Sequence, residues 1–388
     1  MYYNEIAGIK VSALGMGNMR LPTTEERGPI DQVKAREIIE YAYDHGINFF
    51  DTAFRYHNGE SETFVGEVLS QYSRDSFMLA SKFPGHMMNF ENHKLGFKGY
   101  LSDFHCDGLS DVFEEQLHKC KVDYFDFYLL HNMCESSYDF YTNEELGVVP
   151  YLLEQKKLGK IKHLCFSSHA RAETIDKFLT KYPGVFDYCQ LQLNYLDWTL
   201  QDAKAKYEVC VKHNIPVVVM EPVRGGRLIG LPEKAREALK AVEPTWTEAE
   251  WCFKFIQSLP NVAICLSGMT TLDQMKENLA TFEEKTQLKE KHYEAIKAVV
   301  DEMLNMVPCT GCSYCTEGCP MEINIPKLIS FYNESKNGGA LLGFNMNRNN
   351  AGEDPAVCIG CGACMSVCPQ GIKIPEILSE FTEMLDNK

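Results

Sequence analysis

Long apolar runs, a basic excess and an export signal are all absent from this sequence. No apolar stretch approaches the ~20 residues that span a bilayer, and the longest, such as Val217–Met220, are strand-sized. Lys and Arg number 38 against 54 Asp and Glu, a net charge of −16. This balance argues against nucleic-acid binding, which requires clustered cations. Because residues 1–8 also lack signal-peptide character, we expect a cytoplasmic protein with no membrane or nucleic-acid partner.

Between residues 10 and 285 the sequence alternates short β-like runs with amphipathic helical stretches. The candidate strands are Val11–Met16, Asn48–Asp51, Phe77–Lys82, Tyr124–His131, Ile161–Ser167, Tyr188–Leu193, Pro216–Glu221 and Val262–Ser267. Eight strands, each followed by a helix, predict an α/β fold of the (β/α)8 TIM-barrel type. An open doubly wound sheet fits the alternation too, but its G-x-G-x-x-G after the first strand is missing. Residues 1–10 are predicted to form a hairpin that closes the bottom of the barrel.

Cysteine, in contrast, is plentiful, and half of the 16 cysteines belong to one repeated run. The pattern Cys-x-x-Cys-x-x-Cys-x-x-x-Cys-Pro occurs twice, and an Ile-x-Ile-Pro segment and an apolar helical stretch follow each copy. The eight residues are Cys309, Cys312, Cys315, Cys319, Cys358, Cys361, Cys364 and Cys368. This spacing is that of the two-cluster ferredoxins, in which the fourth Cys of each run binds the other [4Fe–4S] cluster.

We therefore predict two [4Fe–4S] clusters with crossed ligation. One is assigned to Cys309, Cys312, Cys315 and Cys368, and the other to Cys358, Cys361, Cys364 and Cys319. Disulfides would require an oxidising compartment, and zinc sites favour two Cys pairs per metal. The other eight cysteines are scattered singly, mostly in apolar contexts, and are expected to be reduced core thiols.

The runs also define the expected domain organisation. We predict a barrel over residues 1–287, then a linker helix and a small, mainly α-helical ferredoxin-like domain over residues 288–388. Helical periodicity covers residues 288–306, and residues 333–355, rich in Asn and Gly, are predicted to form a loop.

Four polar residues fall at or just beyond the ends of predicted strands: Asp51, Tyr56, Lys82 and His131. Catalytic groups of (β/α)8 barrels lie at the C-terminal ends of the strands. Carbonyl reduction requires this set, because the alkoxide that forms must be protonated, and a Tyr hydroxyl is a weak acid unless a cation lowers its pKa. Each residue taken singly has a structural alternative, such as capping a turn.

Together these residues resemble a known family. Asn48-Phe-Phe-Asp51-Thr-Ala-Phe-Arg-Tyr56, followed by Asn58-Gly-Glu-Ser-Glu62, resembles the second-strand motif of the aldo-keto reductase superfamily. Ser81-Lys82 and the segment from Asp123 to His131 resemble its next two signatures. The resemblance spans about residues 5–285 and implies that Tyr56 is the general acid, that Lys82 and Asp51 tune it, and that His131 positions the substrate.

The same resemblance implies a site for NADP(H) or NAD(H). The residues it assigns are Ser167, Ser168, Gln190, Met220, Arg224, Gly226, Gly268, Gln274 and Asn278. Ser168 replaces the usual Asn, Met220 stands where a Tyr often stacks, and Gln274 stands where NADPH-specific members carry Arg. Gln190 and Asn278 could equally be ordinary strand-end and helix-start residues, so the choice of dinucleotide stays open.

The barrel and the cluster domain together resemble a bacterial and archaeal subgroup of aldo-keto reductases that carries a C-terminal ferredoxin-like domain. Its first implication is a nicotinamide-dependent enzyme acting on a small carbonyl compound or alcohol, whose clusters serve docking, stability or electron exchange with a redox-partner protein. Residues 84–108 are long enough to cover the barrel mouth with an apolar wall. A second hypothesis is a ferredoxin-linked oxidoreductase in which the clusters feed substrate reduction, either directly or through a bound flavin, although no flavin fingerprint is visible. A third is a non-enzymatic redox sensor.

Overall fold

The structure, a computed structural model, describes residues 1–25, 28–98, 106–304, 307, 309, 311, 313–336, 348, 351–368 and 370–386. Contacts divide the chain into two compact units, Met1–Ile229 with Glu243–Tyr293, and Gly230–Val242 with Glu294–Lys388. The domain boundary expected after residue 287 stays a prediction, and the assignment of Gly230–Val242 to the second unit was not predicted. No helix in these described ranges has the length and apolar character that crossing a bilayer requires.

Short strands and longer helices alternate along the first unit. The strands are β1 (Tyr3–Ile6), β2 (Ile9–Ser12), β3 (Leu14–Gly17), β4 (Phe49–Asp51), β5 (Met78–Phe83), β6 (Met88–Glu91), β7 (Lys94–Phe97), β8 (Phe125–Leu130), β9 (Ile161–Ser168), β10 (Cys189–Gln192), β11 (Val217–Met220) and β12 (Val262–Ser267). The helices of both units are α1 (Gln32–Asp44), α2 (Glu60–Leu69), α3 (Leu109–Cys120), α4 (Tyr138–Thr142), α5 (Val148–Lys157), α6 (Ala172–Lys181), α7 (Asp197–Leu200), α8 (Ala203–Lys212), α9 (Glu233–Lys240), α10 (Glu248–Gln257), α11 (Leu272–Thr281), α12 (Glu290–Met303), α13 (Tyr314–Glu317), α14 (Ile325–Lys336), α15 (Ala363–Ser366) and α16 (Ile374–Asp386).

Eight parallel strands close into a barrel in the order β3-β4-β5-β8-β9-β10-β11-β12, which confirms the predicted (β/α)8 fold. The predicted first strand, residues 11–16, is in fact two strands. β2 pairs antiparallel with β1 in the expected N-terminal hairpin, whereas β3 enters the barrel. The chain turns between them because the Ser12 hydroxyl donates to the Leu14 carbonyl and the Ser12 amide donates to Asn48 Oδ1.

Large side chains fill the interior of the barrel. The rings of Phe49, Phe127 and Tyr188 pack with centroids 5.3–6.5 Å apart. Ile6 and Val11 of the hairpin join the same buried cluster, as expected for a hairpin that closes one end. The barrel is therefore a packed core, and its chemistry must lie at the mouth, where the strands end.

The segment over residues 84–108 is partly ordered into structure that the sequence did not predict. A single turn over Gly85–Met87 precedes the antiparallel hairpin β6–β7. Phe97 of this hairpin stacks on Phe54 with ring centroids 5.5 Å apart. Residues 99–105 of the segment lie outside the described residues.

The second unit repeats one pattern for its two Cys runs. A one-turn helix, α13 or α15, lies within each run, and a longer helix, α14 or α16, follows it as predicted. Apolar side chains from both copies form one core, in which the ring of Tyr332 meets that of Phe381 edge-on at 5.9 Å. Helix α14 extends to Lys336, so the predicted loop begins later than residue 333, and residues 337–347, 349 and 350 lie outside the described part of the chain.

Candidate active site

The four strand-end residues meet at the mouth of the barrel. Asp51 is the last residue of β4, Lys82 lies near the end of β5, and His131 follows β8 directly. Tyr56 begins a short 3-10 turn after β4 and is half-buried, whereas Asp51 and Lys82 are 2% and 1% exposed. The tyrosine is therefore the most accessible of these three residues, and its hydroxyl lies beside the Lys82–Asp51 ion pair.

The ammonium group of Lys82 satisfies all three of its hydrogen-bond donors. Its Nζ atom donates to Asp51 Oδ1 at 2.5 Å, to the carbonyl oxygen of Thr52 at 2.8 Å, and to Tyr56 Oη at 3.3 Å. Because Lys82 donates to the phenolic oxygen, the hydroxyl proton of Tyr56 is directed to another acceptor. The Thr52 carbonyl is a contact that sequence reasoning missed, since a backbone group leaves no residue-specific signal.

Burial and the charges of neighbouring groups shift the pKa values of Lys82 and Tyr56 in opposite directions. Burial alone would lower the pKa of Lys82, but the Asp51 carboxylate and Tyr56 outweigh burial and raise it. Lys82 is therefore an ammonium at neutral pH. The pKa of Tyr56 is raised, chiefly by burial, although Lys82 lowers it; Asp51 and Glu221 raise it further. Lys82 thus acts in the expected direction without dominating, and Tyr56 keeps its proton at neutral pH.

His131 lies beside Tyr56, and their rings meet edge-on with centroids 6.0 Å apart. The ring of His86, from the turn after β5, packs 4.5 Å from that of His131. Burial, with added repulsion from His86 and Lys82, holds the pKa of His131 well below its ordinary value. Burial also lowers the pKa of His86 to about 4. Both imidazoles are therefore neutral at physiological pH.

A buried polar network lies behind β5 and was not predicted. Glu62 of α2 is fully buried, and its Oε1 accepts hydrogen bonds from Ser81 Oγ and from Gln116 Nε2, both at 2.5 Å. Gln116 of α3 also donates to the backbone carbonyl of Lys82 at 3.1 Å. Burial raises the pKa of Glu62 to about 7. The network ties the strand that carries Lys82 to two helices.

The residues expected at a nicotinamide ring lie at the ends of β9, β10 and β11. Ser167 Oγ accepts from the Asn132 amide at 2.9 Å, and Ser168 Oγ donates to the Met133 carbonyl at 2.6 Å. Gln190 Nε2 donates to the thioether sulfur of Met220 over 3.8 Å. The side-chain oxygen of Gln190 is buried and has no hydrogen-bond partner among the described residues.

Other residues predicted to bind the nucleotide form hydrogen bonds with groups of the protein. Arg224 is 3% exposed, and its Nε donates to Asp197 Oδ1 at 3.0 Å. The side-chain oxygen of Gln274 accepts from the Thr270 amide at 2.8 Å and so caps α11. Asn278 Nδ2 donates to Ser267 Oγ at 3.1 Å. These side chains are held in place by the protein itself.

The two predicted loop glycines differ in what surrounds them. Gly226, in the turn after β11, has φ +95°, and no atom lies within 4 Å of a Cβ built on it. Gly268, after β12, packs against the side chain of Arg20. The loop after the seventh barrel strand therefore has open backbone at Gly226, whereas the Arg20 side chain covers the loop after the eighth strand at Gly268.

Four of the eight run cysteines line one cavity in the second unit: Cys319, Cys358, Cys361 and Cys364. Cys309, Cys315 and Cys368 pack in or against the same apolar core, and Cys312 lies outside the described residues. No cysteine that the structure describes forms a disulfide. Of the single cysteines, Cys106 and Cys134 are only half-buried, and the other six are buried as expected.

Comparison with known proteins agrees with both units. A model of the aldo/keto reductase family matches residues 13–301, and a model of the 4Fe-4S dicluster domain matches residues 308–372. The second match supports iron–sulfur binding by the C-terminal region.

Characterised and uncharacterised oxidoreductases are similar to the barrel. The uncharacterized oxidoreductase YqkF of Bacillus subtilis is 25% identical over 293 residues, 70% of this chain and 87% of that protein. The NADH-specific methylglyoxal reductase of Escherichia coli is 25% identical over 305 residues, 70% of this chain and 90% of that protein. The structure of aldo-keto reductase AKR11C1 from Bacillus halodurans superposes with a TM-score of 0.60 at 25% identity, covering 77% of this chain and 96% of that one. With a family model matched over most of its length, this chain belongs to the aldo/keto reductase family of oxidoreductases.

Proposed function

We propose that this protein interconverts a small carbonyl compound and its alcohol with NADPH or NADH, and that Tyr56 is the general acid. One observation carries the proposal: Lys82 donates to the phenolic oxygen of Tyr56, so the hydroxyl proton of Tyr56 is available to a carbonyl oxygen. The raised pKa of Tyr56, due chiefly to burial, keeps that proton in place at neutral pH.

The residues at the ends of the central strands fit a nicotinamide. The buried side-chain oxygen of Gln190, unpartnered among the described residues, is the acceptor that a carboxamide N–H requires. Met220 supplies a polarisable thioether that packs on a ring face. A bound dinucleotide would supply hydride to the carbonyl carbon. Gln190 and Met220 would orient its ring toward Tyr56.

Tyr56 then completes the reduction. As negative charge develops on the carbonyl oxygen, Tyr56 donates its proton to that oxygen and becomes a phenolate. The Lys82 ammonium, 3.3 Å from Tyr56 Oη, stabilises the phenolate, and Asp51 holds Lys82 in place. In alcohol oxidation the same atoms act in reverse, with the Tyr56 phenolate as the base.

His131 is proposed to position the substrate. Its imidazole is neutral, because burial and the neighbouring His86 lower its pKa, and so it offers one N–H to the carbonyl oxygen without adding a charge. Phe54, two residues before Tyr56 in the sequence, is buried and stacks on Phe97 of the β6–β7 hairpin. This environment favours an aromatic or aliphatic carbonyl compound over a charged one.

The second unit is proposed to hold two [4Fe–4S] clusters with crossed ligation. Support comes from the cavity lined by Cys319, Cys358, Cys361 and Cys364, since Cys319 belongs to the first run and the other three to the second. The remaining set is Cys309, Cys312, Cys315 and Cys368. Clusters of this kind carry single electrons. We therefore propose that they exchange electrons with a redox-partner protein or serve to dock it.

Steady-state kinetics test the catalytic proposal. Anaerobically purified full-length protein with its clusters intact is assayed with NADPH and with NADH against aromatic and aliphatic aldehydes and ketones. Tyr56→Phe is expected to lower kcat by about 10²- to 10⁴-fold, because only the proton donor is removed. Nucleotide affinity should be unchanged. Tyr3→Phe, which changes a tyrosine of the N-terminal hairpin, is the matched control and should retain full activity.

Two results would refute the assignment. The first is a wild-type protein that turns over none of these carbonyl compounds, or their alcohols, with either dinucleotide. The second is a Tyr56→Phe variant as active as the wild type.

A further inference from the structure

Three exposed apolar side chains lie within a short stretch of the second Cys run. Ile359, Met365 and Val367 are 63%, 42% and 46% exposed, and together we call them the apolar face. The other large apolar residues that are exposed, in the part of the chain that the structure describes, are scattered singly. Single exposed apolar residues are ordinary on protein surfaces, whereas a group of them marks a contact surface.

The apolar face carries no charge. No residue over 355–372 is charged, in a chain where charged residues make up 24%. The charged residues that flank this stretch are already paired. Asp354 pairs with Arg348 at 3.2 Å on one side. Lys373 pairs with Glu376 at 3.4 Å on the other. A partner therefore finds no net charge to recognise at this place, although the whole chain carries −16.

The sequence of the first Cys run has no counterpart of the apolar face. At the three corresponding positions, 49 residues earlier, it has Thr310, Thr316 and Gly318. The first run also contains an acid, Glu317, whereas the second run contains none. Because both runs have the same cysteine spacing, cluster binding does not require apolar residues at these positions. Their occurrence in the second run therefore indicates a separate role.

The apolar face lies beside cysteines that are assigned to one cluster. Cys361 is itself exposed. Ile359 lines the same cavity as Cys358, Cys361 and Cys364, and Met365 directly follows Cys364 in α15. An electron that enters or leaves at these cysteines therefore passes beside the apolar face. Because iron–sulfur clusters exchange one electron at a time, the partner that fits this place is a one-electron carrier.

The size of the uncharged surface favours a brief contact over a stable dimer. Ten of the described residues over 355–372 are exposed. Stable interfaces take about 20 to 30 residues from each partner, whereas electron-transfer encounters are smaller. A second copy of this chain is therefore a poorer fit to this surface than a transient carrier.

We propose that the apolar face is the docking surface for a one-electron carrier protein, which meets it through an uncharged apolar area around its own cofactor. This inference rests on the proposed binding of clusters by the second unit. One electron passes between the carrier and the cluster assigned to the second run, so that one of them is oxidised as the other is reduced. Burial of apolar area supplies the attraction without charge pairing. Docking should therefore not weaken as salt is added.

Stopped-flow spectroscopy with an acidic flavodoxin as the carrier tests this surface. The reduced, cluster-loaded, full-length protein gives one electron to oxidised flavodoxin under anaerobic conditions, and the flavin semiquinone is followed by its absorbance. Ile359→Thr/Met365→Thr introduces the residues that the first run has at the same positions, and should lower the second-order rate constant about 10-fold. Met365→Thr alone changes a residue outside the cavity lining and should lower it by a smaller factor. The wild-type rate should not fall between about 50 and 500 mM salt.

Two controls separate docking from damage to the cluster. Hexaammineruthenium(III), a small one-electron acceptor that needs no docking surface, should oxidise the variants as fast as the wild type, with the iron content unchanged. Leu158→Thr changes a side chain of the barrel that is as exposed as Ile359, 63% in both cases, and should leave the flavodoxin rate unchanged. Calorimetry with the oxidised protein and oxidised flavodoxin measures association without electron transfer and should rank the variants in the same order.

Four results would overturn the docking surface. The first is an unchanged flavodoxin rate and affinity in a double variant with full iron content. The second is an equal loss of rate with hexaammineruthenium(III), because the two residues would then act on the cluster. The third is a wild-type rate that falls steeply with salt, which would assign docking to charges. The fourth is a cluster-loaded wild type that neither reduces nor binds flavodoxin.

Light scattering and iron analysis distinguish two further cases. A wild-type dimer that Ile359→Thr/Met365→Thr makes monomeric would assign the apolar face to a second copy of this chain and overturn the proposal. A wild-type protein that holds no iron after anaerobic purification and reconstitution would refute the proposed cluster binding itself, and the inference with it.

Discussion

Lys82 donates a hydrogen bond to the phenolic oxygen of Tyr56 over 3.3 Å, and its ammonium lies 4.8 Å from the centre of the same ring. This cation stabilises the phenolate more than the phenol. Burial has the opposite effect and is the larger of the two, so the pKa of Tyr56 is raised. The pair therefore provides an acid that stays protonated and whose conjugate base is stabilised where it forms.

Removing the Lys82 cation should affect alcohol oxidation and carbonyl reduction differently. In Lys82→Met the pKa of Tyr56 is expected to rise further, because burial is no longer opposed. Alcohol oxidation requires the phenolate, so its increase with pH should move to higher pH than in the wild type. We expect oxidation at pH 8 to fall by about 10²-fold or more. The pH–rate profiles of both directions measure this.

Lys82→Met also removes the ion-pair partner of the Asp51 carboxylate. The double variant Asp51→Asn/Lys82→Met controls for that second effect. Asp51 itself raises the pKa of Tyr56, so the oxidation profile of the double variant should lie at higher pH than that of the wild type but at lower pH than that of Lys82→Met. An oxidation profile of Lys82→Met that coincides with that of the wild type would contradict the role given to Lys82.

Glu62 should make the stability of the barrel depend on pH. Burial raises its pKa from 4.5 to about 7. Below pH 4.5 the carboxyl is protonated in both the folded and unfolded protein, so its contribution to stability is fully present. As the pH rises toward 7, only the unfolded state releases the proton, and about 3 kcal/mol of stability is lost. Urea unfolding between pH 4.5 and 8 measures the slope.

Glu62→Gln keeps a hydrogen-bond acceptor for Ser81 and Gln116 but cannot ionise. Its stability is expected to vary less with pH, so that it gains on the wild type as the pH rises. Glu67→Gln, on the exposed side of the same helix, should follow the wild-type slope. Parallel slopes for the wild type and Glu62→Gln would show that Glu62 is not the titrating group.

The sequence allowed the barrel and the four strand-end residues to be predicted, because an apolar run followed by one polar residue is a local signal. Glu62 escaped prediction as a buried acid because its partner Gln116 lies 54 residues away, on another helix. The division of the first strand depended on Asn48, which accepts from the Ser12 amide across 36 residues. Pairings between distant positions leave no periodicity in a single sequence.

The residues predicted to bind the nucleotide show the same limit of prediction from a single sequence. The motif around Arg224 indicated a phosphate loop, but its ion pair with Asp197 depends on a turn 27 residues earlier. Asn194 and Gln192 donate to the same carboxylate at 2.7 and 2.8 Å. The spacing Asn194-x-x-Asp197 is typical of a capped turn and could have pointed to this carboxylate.

That ion pair should be costly to break. Asp197 is fully buried and accepts from Arg224, so Asp197→Asn removes a buried negative charge that faces a buried guanidinium. We expect a loss of about 3 kcal/mol in the free energy of unfolding, measured in urea. Asp176→Asn is the control, because its pair with Lys212 is exposed and should cost less than about 1 kcal/mol. Equal costs in the two variants would contradict the importance assigned to the buried pair.

Crossed ligation makes a specific prediction for paired cysteine variants. Cys319 lines the same cavity as Cys361, although the two belong to different runs. If both bind one cluster, the double variant Cys319→Ser/Cys361→Ser loses only that cluster. Iron and sulfide analysis should then give about four iron atoms per chain, against about eight in the wild type.

The comparison variant is Cys368→Ser/Cys361→Ser, in which both changes fall within the second run. Crossed ligation assigns these cysteines to different clusters, so both clusters should be lost or degraded and the iron content should approach zero. Ligation of each cluster by its own run predicts the reverse order: Cys319→Ser/Cys361→Ser would lose both clusters and Cys368→Ser/Cys361→Ser only one. The ranking of the two iron contents therefore decides between the arrangements, even where a single serine substitution leaves part of a cluster bound.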